Sequence, residues 1–396
     1  MKKTIVSLFL IIVIISTGLT GCKNSQPTFN PEIFVDDTFN IGMLVPDESG
    51  ISQQMEKVFM YADSIASYVN INSKEIYNYF SIFNYASSDV VSYAEQLVEE
   101  NVSVIIFYSE DVNVFHTFID YIKDTNIPVL SLSPFTCDYE RCFSIALSTE
   151  YKASSAATYA LDQGYSKGVV LCENDNGYNK SFADVFKNTF KSYIGTEPTV
   201  YYQSGELANY SNSALVNGEY DYLLLLCSPE NQLNTVNHLR KQGFQGEIMF
   251  DEVLDHTTPR FSSSDNCAFI TKLETDTSNN ISTVFYSQFS EYADINQSYV
   301  TSAAAYGYDA YMTIFEALKS FGDTDSSSIF KNDTTSTPVI EKITLADFVD
   351  AMKNVVYYGV TDTITFKNNI SAPSYIYIDT IADSKISLCK KYTFSE

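Results

Sequence analysis

The chain contains no tryptophan, only three histidines, and 24 lysines and arginines against 49 aspartates and glutamates. Each shortage removes a class of function. His116, His238 and His256 do not pair at metal-ligand spacing, and no Cys-x-x-Cys pair occurs, so no metal centre is indicated. There is no Gly-x-Ser-x-Gly elbow, no phosphate-cradling glycine loop and no His-Glu-x-x-His. No cofactor, catalytic residue or enzymatic activity is therefore expected. Asp323-Thr324-Asp325 opens like a calcium loop, but the central glycine and closing glutamate are missing, and it reads as a solvated turn. A net charge of −25 repels nucleic acid and anionic headgroups, which makes both poor partners. An anionic ligand would need a local device, such as a helix N-terminus.

Long hydrophobic runs are also scarce. The apolar stretch from about Ile5 to Ile15 is shorter than the roughly 20 residues of a membrane-spanning helix. It follows Met1-Lys2-Lys3 and precedes small residues, the pattern of a secretory signal peptide over residues 1–21. Leu19-Thr20-Gly21-Cys22 resembles a bacterial lipobox. The resemblance implies cleavage before Cys22, acylation of its thiol and amine, and a body anchored through lipid on the outer face of the cytoplasmic membrane; a plain secreted protein is the alternative. Each buried CH₂ of an acyl chain contributes ~0.8 kcal/mol, so two or three chains anchor stably. Cleavage removes two of the 24 cations and none of the 49 acids. Residues 22–37 then read as a flexible tether spanning ~20 Å.

The 396 residues suit two domains. Thirty tyrosines and 27 phenylalanines supply core, and tyrosine also suits binding clefts, being apolar with one polar handle. Cys172, Cys227 and Cys267 lie in or beside apolar strand-like runs, where free cysteine acts as a small hydrophobe. Cys137 and Cys142 are a disulfide candidate in an oxidising compartment, with free thiols equally open because sequence fixes neither distance nor angle.

Apolar strands alternate with amphipathic helices along the chain. Strands are expected at Ile41–Pro46, Tyr77–Phe83, Val104–Tyr108, Ile127–Leu130, Cys142–Leu147, Gly168–Cys172, Tyr222–Cys227, Glu247–Phe250, Ala268–Thr271, Thr363–Phe366 and Tyr375–Asp379. Helices are expected over Ser52–Val69, after the Ser87-Ser88-Asp89 cap, and over Val112–Lys123, Glu150–Gln163, Ile281–Ala293, Ala303–Phe321 and Leu345–Asn354. Phe182, Val185, Phe186 and Phe190 mark another helix face, and Leu233, Val236 and Leu239 a further one stopped by Gly243. Residues 323–337 read as an exposed loop. Continuously apolar strands between helices predict an α/β fold with parallel sheets covered on both faces.

Four stretches, in order, resemble the type 1 periplasmic binding proteins, closest to the leucine/isoleucine/valine-binding branch that feeds ABC importers. They are Ile127-Pro128-Val129-Leu130-Ser131-Leu132-Ser133-Pro134; Gly168-Val169-Val170-Leu171 with Asn174-Asp175-Asn176-Gly177-Tyr178; Ala303-Ala304-Ala305-Tyr306-Gly307-Tyr308-Asp309-Ala310; and Gly359-Val360-Thr361-Asp362-Thr363-Ile364-Thr365-Phe366. The likeness runs over about residues 39–380. It implies two doubly wound lobes joined by three crossovers, residues 38–147 plus 275–350 and residues 148–274 plus 351–396, closing over a ligand by hinge motion. It also implies a small-molecule ligand, an amino acid or related amine-carboxylate, and ABC permease subunits as membrane partners. A sensing lipoprotein of the same fold, or an adhesion protein with a degenerate cleft, stays open as an alternative.

Open parallel sheets bind ligands beyond the carboxyl ends of their strands. The candidates are therefore Ser49, Ser109, Ser133, Thr136, Tyr178, Cys227 and Glu252, each in a turn after a strand. The resemblance implies that Ser109 and Thr136 meet a ligand carboxylate, that Tyr178 covers the ligand, and that Glu252, beside Asp251, meets its ammonium. Phe135 stands where the family usually has a small residue, and Asn179 where it has glycine. Ser109 and Ser133 read equally as helix caps, and Asp251 and Glu252 as solvated turn acids.

Overall fold

The computed structural model describes residues 34–35, 38–47, 51–71, 74–86, 88–109, 111–174, 177–203, 215, 217–227, 229–251, 266–273, 280–295, 300–322, 343–382 and 385–394. Signal peptide, Cys22, Ser49, Glu252 and the 323–337 loop lie outside them. No described helix is long and apolar enough to cross a membrane.

The first part of the chain runs β1 (Phe34–Val35), β2 (Thr38–Pro46), α1 (Ile51–Ile65), β3 (Tyr68–Ile71), β4 (Lys74–Tyr85), α2 (Val90–Glu99), β5 (Val104–Phe107), α3 (Val112–Ile122), β6 (Val129–Ser131) and β7 (Cys142–Ser144). Then come α4 (Thr149–Asp162), β8 (Gly168–Cys172), α5 (Gly177–Ile194), β9 (Thr199–Tyr202), β10 (Tyr222–Leu226), α6 (Pro229–Gln242), β11 (Glu247–Phe250) and β12 (Cys267–Thr271). The rest is α7 (Asn280–Ala293), α8 (Ser302–Lys319), α9 (Leu345–Lys353), β13 (Tyr357–Tyr358), β14 (Thr363–Ile364), β15 (Tyr375–Ala382) and β16 (Lys385–Thr393).

Two sheets organise these elements. One has the order β3-β4-β2-β5-β6-β7 with β1 on β2, and the other β16-β15-β12-β11-β10-β8-β9. The inner pairings are parallel, as the apolar runs predict; β1, β3, β15 and β16 join these sheets antiparallel, and β13 and β14 form a separate antiparallel pair. Side chains alternate between two buried faces, the period-2 geometry of a strand. Val104, Ile106 and Tyr108 pack with α1 and α8, while Ile105 and Phe107 pack with α2 and α3. In the second sheet Tyr222, Leu224 and Leu226 face α4 and α5, and Leu223 and Leu225 face α6. The expected fold class, two doubly wound parallel-sheet lobes, is what the chain adopts.

The lobes are joined by three crossovers. Ile145 belongs to the first lobe's core and Leu147 to the second's; Ile270 belongs to the second and Leu273 to the first; Ile364 belongs to the first and Ile376 to the second. The first core also takes in Met352, Val355 and Val360, so the last crossover lies beyond the boundary expected after residue 350. The crossovers are stitched together. Lys272 Nζ donates to the Ile145 carbonyl at 3.1 Å, and Ser144 pairs with the 369–371 segment through Ser144 N to Asn369 O and Ser371 N to Ser144 O, both 2.8 Å.

The third and fourth signature stretches meet at this hinge. Asp309 on α8 is fully buried, and its carboxylate accepts from Val360 N (2.7 Å), Thr361 N (2.7 Å) and Thr361 Oγ1 (2.6 Å). A Cβ on Gly359 would lie 2.6 Å from Asp309 Oδ2, so only glycine lets the segment approach this closely. Burial pushes the Asp309 carboxyl up to about 6 against the opposing pull of these donors.

Several local expectations need correction. The helix expected to Val69 ends at Ile65, and Asn78 Nδ2 donates to the Ala66 carbonyl just beyond it. Tyr68–Ile71 forms an edge strand with Val69 and Ile71 buried and their neighbours exposed. Asp89 sits at the α2 N-cap position but makes no side-chain cap bond. The expected strand Cys142–Leu147 stops at Ser144 because the chain leaves the sheet for the first crossover. The edge strands β9 and β16 had no counterpart in the expected set.

Candidate ligand-binding cleft

The carboxyl ends of the two sheets face each other. After β5, Ser109 is buried; its hydroxyl accepts from Asp111 N and donates to Asp111 O, both 3.1 Å. Asp111 in turn caps α3, accepting from Asn113 N at 2.7 Å and Val114 N at 3.3 Å. Ser109 N donates to Ser133 Oγ at 2.8 Å, and Ser133 N to Ser131 Oγ at 3.1 Å. The structure thus brings Ser109 and Ser133 together and uses them to fix the turns after β5 and β6.

Those turns aim Phe135 and Thr136 at the second lobe. Phe135 packs on Phe115 (ring centroids 5.4 Å) and edge-on against Tyr178 (5.5 Å), which stands in the first turn of α5. Tyr178 is half-buried and touches the cores of both lobes. Its hydroxyl donates to Asp251 Oδ2, just past β11, and Lys152 Nζ pairs with Asp251 Oδ1 at 2.9 Å. The Lys152 ammonium lies 5.4 Å from the centre of the Tyr178 ring. Lys152 sits one turn into α4 and is 3% exposed. Asn179 is buried and donates to Asn174 Oδ1 at 3.0 Å across the turn before α5.

Between the lobes lies a cavity of about 370 Å³. Val112, His116, Phe135 and Thr136 line it from the first lobe, Ser148, Thr149, Glu150, Tyr178 and Ser181 from the second, and Ile370 from the third crossover. The first turns of α3, α4 and α5 all border it, with Asp111 capping α3 and Ser148 capping α4. A second cavity of about 380 Å³ shares Phe135, Thr136 and Ile370 and extends past Cys137, Cys142, Lys353 and Asn369. Cys137 and Cys142 are free thiols here. A hydrogen bond from the Cys142 thiol holds Cys137 down to about 7, and the same bond with burial pushes Cys142 up.

Of the sequence candidates, Thr136 and Tyr178 line the inter-lobe cavity, whereas Ser109 and Ser133 stand behind it. Cys227 follows β10 directly, half-buried against the α6 side of the sheet, and borders neither cavity. Ser49 and Glu252 lie outside the described residues. Sequence reasoning missed Lys152, a single lysine in an amphipathic helix pattern, because nothing in its neighbours shows that it is buried. It also left Asp251 as one of two adjacent acids. Among the described residues no cluster of histidine, cysteine, aspartate and glutamate could hold a metal.

This arrangement of two lobes, three crossovers and a cleft at facing strand ends is that of an extracytoplasmic solute-binding protein. The chain belongs to the periplasmic binding protein family, whose model matches residues 83–378. Among solved structures it is similar to the leucine-binding protein LivK of Thermotoga maritima, with TM-score 0.71 and 14% identity over 89% of this chain and 98% of that one. It is similar to the branched-chain amino acid transporter substrate-binding protein LivJ of Streptococcus pneumoniae in complex with isoleucine, with TM-score 0.69 and 15% identity over 90% and 99%. It is also similar to an ABC transporter solute-binding protein of Rhodopseudomonas palustris in complex with 3,4-dihydroxybenzoic acid, with TM-score 0.71 and 14% identity over 90% and 98%. At such identities the shared feature is the fold. No curated protein matches in sequence.

Proposed function

We propose that the chain is a lipid-anchored solute-binding protein of an ABC importer. It captures a small solute of the amino-acid or carboxylic-acid class between its lobes and presents the closed form to permease subunits. The observation that carries this reading is the inter-lobe cavity, walled by residues from both lobes and from a crossover, with Phe135 and Tyr178 meeting across it. The positive ends of three helix dipoles border the cavity, which favours a carboxylate there against an overall charge of −25. Thr136 and Tyr178 are the contacts, and Ser109 and Ser133 hold the loops that carry them. The solved relatives complexed with isoleucine and with a hydroxylated benzoate support a carboxylate solute. Cys22, acylated, would tether this body to the membrane.

A thermal-shift screen of the mature chain against amino acids, carboxylic acids, sugars and nucleosides tests the reading. A solute at 100 times its dissociation constant stabilises the fold by ~2.7 kcal/mol, which is easily seen. Stabilisation by an amino acid or carboxylic acid is expected, and no shift across the panel contradicts solute capture.

A further inference from the structure

We infer that Cys137 and Cys142 form a thiol–disulfide exchange site at the edge of the cleft, with Cys137 as the attacking thiol, Cys142 as the resolving thiol and a small organic disulfide as the oxidant. The site does not depend on which solute the lobes hold. The chain leaves β6 at Ser131, passes the inter-lobe cavity at Thr136 and returns to the start of β7 at Cys142. This return sets Cys137 beside Cys142, and the two thiols share a hydrogen bond. Cys142 N donates to the Tyr139 carbonyl at 2.9 Å, which folds residues 138–141 into a turn. The turn is held to the sheet: the Tyr139 hydroxyl donates to Ile127 O at 2.7 Å, and Arg141 Nη1 to Asn126 O at 2.9 Å. The two thiols therefore stay neighbours in the reduced chain.

Their surroundings divide the roles. Cys137 is half-buried, whereas Cys142 is 8% exposed. Both line the cavity of about 380 Å³, through which a small disulfide reaches Cys137. Asp138 and Glu140 outnumber Lys353 in its wall, so a neutral disulfide enters more readily than an anionic one. The Cys142 thiol, helped by the Tyr139 N–H, holds Cys137 down to about 7, which makes it the nucleophile near neutral pH. The same hydrogen bond and burial push Cys142 up, and that hold weakens once Cys137 has reacted. In the first step the Cys137 thiolate forms a bond to one sulfur of the external disulfide, whose S–S bond breaks and releases a thiolate that takes a proton from solvent. In the second, Cys142 gives its proton to solvent and its thiolate attacks Cys137 Sγ, expelling the other external thiolate, which is protonated in turn. Two protein thiols are oxidised and one external disulfide is reduced to two thiols. The new bond ties the Thr136 loop to the strand that feeds the first crossover. The turn it closes already touches the third, since Asn369 Nδ2 donates to Glu140 O at 2.6 Å.

The test is to treat the reduced, folded mature chain with bis(2-hydroxyethyl) disulfide near neutral pH, quench with acid at successive times, alkylate and map the peptides. Loss of both thiols to a Cys137–Cys142 disulfide is expected, preceded by a transient mixed disulfide on Cys137 and reversed by dithiothreitol. Cys142→Ser should trap the hydroxyethylthio group on Cys137, and Cys137→Ser should leave Cys142 unmodified while the chain stays folded. A mixed disulfide that persists on wild-type Cys137, or no reaction at Cys137, overturns the inference. Modification of Cys142 ahead of Cys137, or of Cys142 in folded Cys137→Ser, overturns it as well. Should a variant not fold, the wild-type time course decides.

Discussion

Replacing Asp309 by asparagine tests how the hinge is held. The carboxylate is fully buried and accepts three hydrogen bonds from Val360 and Thr361, which lock the segment before the third crossover onto α8. Burial nevertheless wins, and the carboxyl is pushed up to about 6. The unfolded value is about 3.9, so the difference of about 2 units corresponds to roughly 3 kcal/mol. Because the folded value is the higher one, the folded chain binds the proton more tightly. The stability this group contributes is full below about pH 3.9 and is lost as pH rises through about 6. Asp309→Asn cannot ionise. Its amide oxygen can satisfy the donors at one carboxylate oxygen, leaving at least one N–H on the other side unmatched at a cost of ~1–3 kcal/mol. The variant should therefore be less stable than wild type by about 2 kcal/mol near pH 4. Between pH 4 and pH 7.5 the gap should move by most of the roughly 3 kcal/mol in the variant's favour. Urea unfolding at the two pH values, with linear extrapolation to water, reads the difference. An identical gap at both would refute the argument, because it would mean that Asp309 keeps one charge state throughout.

Three further outcomes are expected. Gly359→Ala places a methyl 2.6 Å from Asp309 Oδ2 and should destabilise the chain by ~1–3 kcal/mol, visible as a lower urea midpoint without a changed slope; wild-type stability would contradict the close approach. Cys137 should react with iodoacetamide with a half-maximal rate near pH 7, while the buried Cys142 reacts only on unfolding; a Cys137 rate that first rises near pH 9 would show that the Cys142 thiol does not hold it down. Cys22→Ser should move the protein from the membrane fraction to the soluble extracytoplasmic fraction, and unchanged fractionation would remove the lipid anchor from the account.

The fold was legible because its strongest signals are local. Continuous runs such as Val104–Phe107 and Tyr222–Leu226 can only be strands buried on both faces, and the amphipathic helices between them force parallel pairing. Edges were harder. Tyr68–Ile71 continues the apolar spacing of α1 closely enough to pass as helix, and its alternation becomes visible only against β4. The β16 stretch Lys-Ile-Ser-Leu-Cys-Lys-Lys-Tyr-Thr is polar enough to read as a tail until β15 pairs with it.

The cleft divides along the same line. Turns that follow strands could be picked from the sequence, and Thr136 and Tyr178 do reach the cavity. What a hydroxyl does there depends on its neighbours: Ser109 and Ser133 spend theirs on local turns, which no spacing reveals. Lys152 and Asp251 are joined only by the folding of α4 against the end of β11. The Asp309 network likewise unites two signature stretches whose separate patterns gave no hint of contact.

Small-angle scattering of the mature chain, with and without the screened solute that gives the largest thermal shift, tests most directly whether two lobes close on a ligand. A smaller radius of gyration at saturation is the predicted result. A saturated chain whose radius of gyration stays the same would contradict capture by closure.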